Sequence, residues 1–293
     1  MKIIEPSVEL WKQDDAIAHV ARCARICYRK ETGNDERLCN NLIKSKHWST
    51  FRHRTVYAII PMSDVAHMWS NVMGKYLESP YIDWVSYGNF TYVVTNGNFL
   101  LDIERRNPLL YKWLTEYEVD AKVFEEEAKI PSIKELIRYT FKVTTQISTS
   151  RELNRVSPNT ISEQSTRYVY EDGSICRPHK LIGYNIFKDI YDKYIIYKDN
   201  QEIKDNVLDY IQGCDEQFRR YKRLVNNGWD KQDARGVLPL DTATICAYTY
   251  SASEWRHIID LRYYGITGKP HPNAEIIAGM IRKELIKLGY DFR

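Results

Sequence analysis

The chain has 293 residues, 43% hydrophobic and 28% charged, with a net charge of +3 from 42 basic and 39 acidic side chains. That is enough apolar material for a packed core, which excludes disorder. The near balance of charge argues against a protein that coats nucleic acid. No apolar run approaches a membrane span, and the opening MKIIEPSVELWK has neither the apolar core nor the cleavage site of a signal peptide. A cytoplasmic protein without a membrane partner is expected. The six cysteines, at 23, 27, 39, 176, 214 and 246, make no CxxC pair and no zinc spacing with the seven histidines. Reduced, mostly packed thiols and no metal are expected.

In chain order, residues 14–28 read as a helix that starts at an acidic pair, and 36–46 as a second helix. HWSTFRH, 47–53, reads as a loop, and TVYAIIP, 55–61, as a β-branched strand ended by proline. A helix capped by Ser63 is expected over 63–72. Residues 81–95 alternate aromatic and polar groups around Gly88-Asn89, which is hairpin chemistry. Helices follow at 96–106 and from Pro108 on. Residues 132–139 read as helix, 140–145 as strand and 148–155 as a short helical segment. Pro158 and Asn159 make the stretch after it a loop. The C-terminal part reads as helices at 203–226, 230–236, 252–263 and 272–288, with a strand at 241–250. The fold class is α+β (mixed α/β), with strands too scattered for a doubly wound sheet. No repeat or long linker divides the chain, so a single domain over 1–293 is expected.

The densest chemistry lies between Arg151 and Tyr168, RELNRVSPNTISEQSTRY. It holds Arg151, Arg155 and Arg167 with Glu152 and Glu163, and Ser157, Thr160, Ser162, Ser165 and Thr166 supply hydroxyls. Guanidinium forks, hydroxyls and loop amides together suit a phosphate. Glu163 beside the arginines suits an orienter or an acceptor for a pyrimidine edge. The alternative is a solvated charged loop. Ser165 has no adjacent histidine base, so phosphate binding suits it better than nucleophilic attack.

The segment resembles the signature of the flavin-dependent thymidylate synthases, RHRxxSxNExSxRY. Arg155, Thr160, Ser162, Glu163, Ser165, Arg167 and Tyr168 stand on its positions with the spacing kept. Further blocks are similar in family order: Ala24 to Tyr28, His47 to His53, Ala234 to Pro239, Ser251 to Ser253, His257 to Arg262, and Pro272 to Ile276. Residues 75–140 have no counterpart in compact family members and read as an inserted hairpin and helix region. The chain departs from the pattern where the RHR triplet becomes Arg155-Val156-Ser157, where a glutamate becomes Arg52, and where Asn-Ala-Arg becomes Ser251-Ala252-Ser253. These departures concentrate on the flavin side.

The resemblance implies a homotetramer with sites between subunits. The implied reaction is reductive methylation of deoxyuridine monophosphate (dUMP) to dTMP, with methylenetetrahydrofolate and NADPH as co-substrates and FAD as cofactor. It implies Arg262 and Arg155 as catalytic groups near the uracil ring, where a fixed guanidinium stabilises developing negative charge. Glu152, Arg155, Glu163, Ser165, Arg167, Arg235 and Arg262 would bind the nucleotide. His47, Ser49, Arg52, Ser157, Ser251, Ser253 and His257 would face the cofactor, and His53 the flavin and folate side. Arg52 and Arg54 add charge on that side, so the chain is expected to bind flavin, more weakly than members with the full triplet. Cys27, Trp255 and Tyr263 read as packed residues. The alternatives are a one-carbon transfer that leaves a hydroxymethyl group on another pyrimidine nucleotide, or a nucleotide-binding homologue that has lost flavin.

Overall fold

The computed structural model describes residues 1–68, 79–203 and 206–292. Its central sheet is antiparallel, in the order Ser7–Trp11, Arg138–Gln146, Ala243–Ser251, Ile161–Glu163. The two inner strands run in register from Ala243 opposite Gln146 to Ser251 opposite Arg138. Successive side chains on a strand point to opposite faces, and here the two faces differ in kind. Phe141, Val143, Cys246, Tyr248 and Tyr250 face the helices Ala252–Ile259 and Pro272–Lys287 in an apolar core. Trp255 is fully buried there, edge-on to Phe141 at 5.2 Å and to Tyr250 at 5.1 Å, and donates its Nε1–H to the Tyr139 carbonyl at 3.1 Å.

The alternate residues, Thr140 and Thr249, face helix Ala16–Ile26 and the tight turn Trp48–His53 through a buried chain of hydrogen bonds. His19 Nε2 meets Thr140 Oγ1 at 3.0 Å, and Thr140 Oγ1 meets Thr249 Oγ1 at 2.6 Å. Thr249 Oγ1 meets His53 Nδ1 at 2.8 Å, and His53 Nε2 meets Ser162 Oγ at 3.0 Å. Every polar group in this chain is partnered, as burial requires.

The second sheet, also antiparallel, has the order Asp83–Tyr87, Phe90–Asn96, Thr55–Pro61, Glu118–Val119. It is covered on both faces. Val56, Ala58 and Ile60 pack with Val93 and Leu100, while Tyr57, Tyr92 and Val94 pack around Phe124. Double-sided burial is why TVYAII reads as an unbroken apolar run rather than an alternation. Tyr87 pairs with Phe90 across the Gly88-Asn89 turn, where Gly88 has φ of +59°. Three of the four strands come from the segment 75–140.

A third group of short strands packs beneath the helix Asn206–Asn226. Lys2–Ile4 pairs in parallel with Ser174–Cys176, and Asn185–Lys188, Tyr194–Lys198 and Gln201–Glu202 form a small antiparallel sheet. Ile175, Ile196, Ile211 and Phe218 are its core.

The helices at Ala16–Ile26, Asp35–Lys44, Gly97–Arg106, Pro108–Glu116, Ile147–Leu153 and Pro272–Lys287 agree with the sequence. Asp15, Asn34, Asn96 and Asn107 cap the first four by accepting from backbone N–H groups. Other expectations are corrected. The 47–53 loop contains a 3-10 turn, Trp48–His53. The helix expected over 132–139 ends at Lys134, because Arg138–Gln146 is already strand and pairs with Ala243–Ser251. The loop after Pro158 contributes the edge strand Ile161–Glu163. Helix 252–263 changes to a π-turn at Asp260–Tyr264. Ser63 does not cap its helix, which begins at Met62, and residues 69–72 of that expectation lie outside the described residues.

The buried histidines predict a pH signature. Burial, then the Arg22 charge, lowers the His19 pKa from 6.5 to about 4, and burial holds that of His53 well below its ordinary value. Both rings stay neutral in the fold but take up protons in the unfolded chain as pH falls through 6.5. Their contribution to stability is therefore complete above 6.5 and lost toward pH 4. In His53→Gln the fall of unfolding free energy between pH 6 and 5 should be shallower by about 1.4 kcal/mol per pH unit. Urea melts of parent and variant at both pH values check this, and equal slopes would refute it.

Candidate active site

The strand Arg138–Gln146 runs directly into the helix Ile147–Leu153, whose far end carries Ser150, Arg151 and Glu152. Opposite it, the edge strand Ile161–Glu163 pairs with Ala243–Ser251, with Glu163 opposite Cys246. Between these elements lies a cavity of about 330 Å³ lined by Arg151, Glu163, Ser165, Thr166, Arg167 and Arg235, among others. Arg235 arrives on the short turn Arg235–Val237 and donates to Thr166 Oγ1 at 3.0 Å. Arg167 reaches Gln232 Oε1 at 3.4 Å and lies 5.2 Å from the centre of the Tyr168 ring. Among the described residues, none of these three arginines forms an ion pair with a carboxylate. Their charge is available to an anion.

Glu163 is the polar anchor of this cavity. Its Oε1 accepts from Ser150 Oγ at 2.9 Å and from Thr244 Oγ1 at 3.2 Å. Burial pushes its pKa up, against those two hydrogen bonds and the Arg151 charge. Ser165 is fixed by its own backbone, whose N–H donates to the Cys27 carbonyl at 3.1 Å, and its Oγ accepts from the Arg167 N–H at 3.3 Å. Burial raises the pKa of the half-buried Cys27 thiol, so it is a packed thiol and a poor nucleophile.

Arg155 and Arg262 meet through one carboxylate. Glu152 Oε2 lies 3.2 Å from Nη2 of each, and the Glu152 carbonyl accepts from Arg262 Nε at 2.7 Å. Arg155 is held further by the Arg151 and Asn154 carbonyls at 3.1 and 2.9 Å. Burial, then the neighbouring Arg155 charge, lowers the Arg262 pKa, while Glu152 opposes the shift. The π-turn that carries Arg262 closes on Gly265, at φ of +66°. A Cβ there would lie 2.7 Å from the Gly268 carbonyl, so the turn depends on glycine.

The structure thus groups Glu163, Ser165, Arg167 and Arg235 around one cavity, and Glu152, Arg155 and Arg262 in one ionic cluster. Helix Ile147–Leu153 links the two groups. Arg151 and Thr166 also line the cavity. The sequence reading singled out both in the 151–168 segment without giving them a place in the site. Their signal was helical spacing, since Arg151 stands one turn before Arg155.

The residues assigned to the cofactor are arranged otherwise. Arg52 donates to the Asn159 carbonyl and to Tyr81 Oη, both at 2.9 Å. Arg54 is paired with Glu118 at 3.0 Å. Ser251 caps the helix Ala252–Ile259, accepting from the Glu254 N–H, while the Glu254 carboxylate takes the Ser251 N–H at 2.7 Å. Ser253 bonds Ser251 Oγ at 2.9 Å. His47, Ser49, Ser157 and His257 are exposed. A flavin pyrophosphate needs free cations or open helix-terminal amides. Here Arg54 is ion-paired, Arg52 is turned onto a carbonyl and a phenol of its own chain, and a carboxylate sits at the helix start. Within one chain these residues do not fit the dinucleotide.

No helix among the described residues is long and apolar enough to cross a membrane, and no group of three or more metal-ligating side chains occurs among them.

A comparison with curated proteins gives no match. Among solved structures, two of a UMP/dUMP methylase, PolB from Streptomyces cacaoi, bound with 5-Br UMP and with 5-Br dUMP, are similar at 16% and 17% identity. Each alignment has a TM-score of 0.45 and covers 98% of this chain, with 92% and 93% of the respective partner chain. The model of the thymidylate synthase complementing protein family matches residues 118–287, which include the cavity, the ionic cluster and the Arg262 turn. The chain belongs to that family, the flavin-dependent thymidylate synthases, and is a methyltransferase of their α+β fold.

Proposed function

We propose that this chain methylates the C5 position of a uracil nucleoside 5′-monophosphate, dUMP, and that Arg151, Arg167 and Arg235 hold its phosphate. The observation that carries this reading is the cavity with three guanidinium groups free of ion pairs to carboxylates, beside the half-buried Glu163. A phosphate in it would exchange water for charge-assisted hydrogen bonds. The PolB structures, whose ligands are brominated uracil nucleotides, are in keeping with it.

The adjoining Glu152–Arg155–Arg262 cluster supplies the electrostatics. Uracil carbon becomes nucleophilic as negative charge builds on the ring, and guanidinium groups already fixed by Glu152 stabilise that charge without reorganising. Neither arginine gives up its proton in doing so. Glu163 is placed to orient the sugar or base from the buried side. Methylenetetrahydrofolate as carbon donor, NADPH as reductant and assembly as a homotetramer are carried over from the family, and no group of this chain is assigned to them. No step is routed through flavin, because the residues present do not fit it.

A second reading, a nucleotide-binding homologue that works without flavin, is favoured by the engagement of Arg52, Arg54 and Ser251. Release of tritium from C5-labelled dUMP, in the presence of methylenetetrahydrofolate, NADPH and FAD, separates the two. Release supports the methylase. Tight dUMP binding without release supports the second reading.

Arg167→Ala should weaken dUMP binding by about 2 kcal/mol, roughly thirtyfold in Kd, while deoxyuridine binds parent and variant alike. Calorimetric titration checks it, and an equal loss for both ligands would remove Arg167 from the phosphate. For the cofactor, protein passed through a gel-filtration column after incubation with FAD should emerge nearly colourless. Val156→His combined with Ser157→Arg should retain more flavin, read from the visible absorbance band. Stoichiometric flavin on the parent chain would show that other groups hold it.

A further inference from the structure

Gln164 stands between Glu163 and Ser165, yet its own side chain is only 5% exposed and is held from behind the cavity. Its Oε1 accepts from Arg29 Nε at 2.7 Å, and its Nε2 donates to Glu171 Oε1 at 3.0 Å. Glu171, 1% exposed, closes the ring with an ion pair from Oε2 to Arg29 Nη2 at 3.4 Å. Gln164 is itself among the residues that line the cavity, whereas Arg29 and Glu171 are not.

The backbone makes the same connection. The Gln164 N–H donates to the Ile245 carbonyl at 2.9 Å, and the next N–H, of Ser165, donates to the Cys27 carbonyl at 3.1 Å. The chain leaving helix Ala16–Ile26 therefore grips the loop twice, once through a carbonyl and once through the Arg29 guanidinium. Arg29 itself has φ of +50°, a left-handed conformation that is strained for a non-glycine residue and persists where surrounding contacts require it.

We propose that Arg29, Gln164 and Glu171 are positioning residues for the nucleotide: a buried ring that fixes the 163–167 segment so that Glu163, Ser165 and Arg167 face the cavity before the ligand arrives. A preordered loop does not lose conformational freedom on binding, so Arg29 and Glu171 act on affinity from outside the cavity, through Gln164. The inference rests on the reading of the cavity as the phosphate site.

The test uses Arg29→Met, Arg29→Lys and the isosteric Glu171→Gln, with Arg167→Ala as the control, all measured well below each variant's Tm. Arg29→Met and Glu171→Gln should each raise the dUMP Kd about tenfold, and Arg29→Lys should recover most of that loss. Backbone amides of Ser165 and Arg167 should exchange faster in the weakened variants, while the Tyr248 amide in the central strand stays protected. A lowered Tm with parent-like dUMP affinity and loop exchange would overturn the proposal and leave the ring a purely structural element. If Arg167→Ala itself leaves dUMP binding unchanged, the cavity is not the phosphate site and the ring's role falls with it. If Arg167→Ala weakens binding but the ring variants do not, only the positioning role fails.

Discussion

A guanidinium that already answers to a carboxylate has little left for a phosphate, and the distribution of arginines in this chain follows that constraint. Arg25, Arg54, Arg177 and Arg256 are paired with Asp35, Glu118, Glu5 and Glu135 and tie elements together. Arg138, half-buried, serves backbone oxygens instead, donating to the Arg52 and Thr249 carbonyls at 3.2 and 3.0 Å where the two sheets meet. Arg155 and Arg262 share Glu152 and so remain charged and fixed. Arg167 and Arg235 are left with hydroxyl, amide and aromatic neighbours, and Arg151 acts on Glu163 through its charge without forming an ion pair. The polarity of the site is decided less by how many arginines the chain carries than by which of them lack an acid.

The same constraint accounts for the asymmetry between the two halves of the expected site. On the nucleotide side, the hydroxyl partners of Glu163, Ser150 and Thr244, come from the central sheet and its adjoining helix, elements formed with or without a ligand. On the cofactor side, the added arginines are directed at groups of the chain itself, Arg54 at a carboxylate and Arg52 at neutral oxygens. Arg52 stacks 5.1 Å from the Tyr81 ring centre and bonds Tyr81 Oη, and Arg54 meets Glu118. Both partners come from the segment 75–140. That segment thus occupies the side chains that the sequence assigned to the dinucleotide.

What was legible in the sequence was what is local. The helix start at the Asp14-Asp15 pair and the turn at Gly88-Asn89 follow from near neighbours. Strands of two to five residues with little alternation, such as Lys2–Ile4, Ile161–Glu163 and Asn185–Lys188, were not, because pairing partners far along the chain make them strands. The nucleotide-side residues were found through their spacing in one segment, and the family match covers that segment. The commitments of Arg52 and Arg54 could not be read, because they depend on Tyr81 and Glu118, distant in sequence, whereas Ser251 and Glu254 stand at the local spacing of a capping box.

The edge strand Ile161–Glu163 makes its contribution through parity. Ser162, opposite Ala247, sends its hydroxyl to His53, while Glu163, opposite Cys246, sends its carboxylate to Ser150 and Thr244. Two adjacent residues thus serve opposite faces of one sheet. A slip of this strand by one residue against Ala243–Ser251 would exchange their directions, placing a carboxylate against a neutral buried imidazole and a hydroxyl in the cavity. The pairing with Ala243–Ser251 therefore decides side-chain direction for both faces at once, and the loop before it can change length only so far as that pairing is kept.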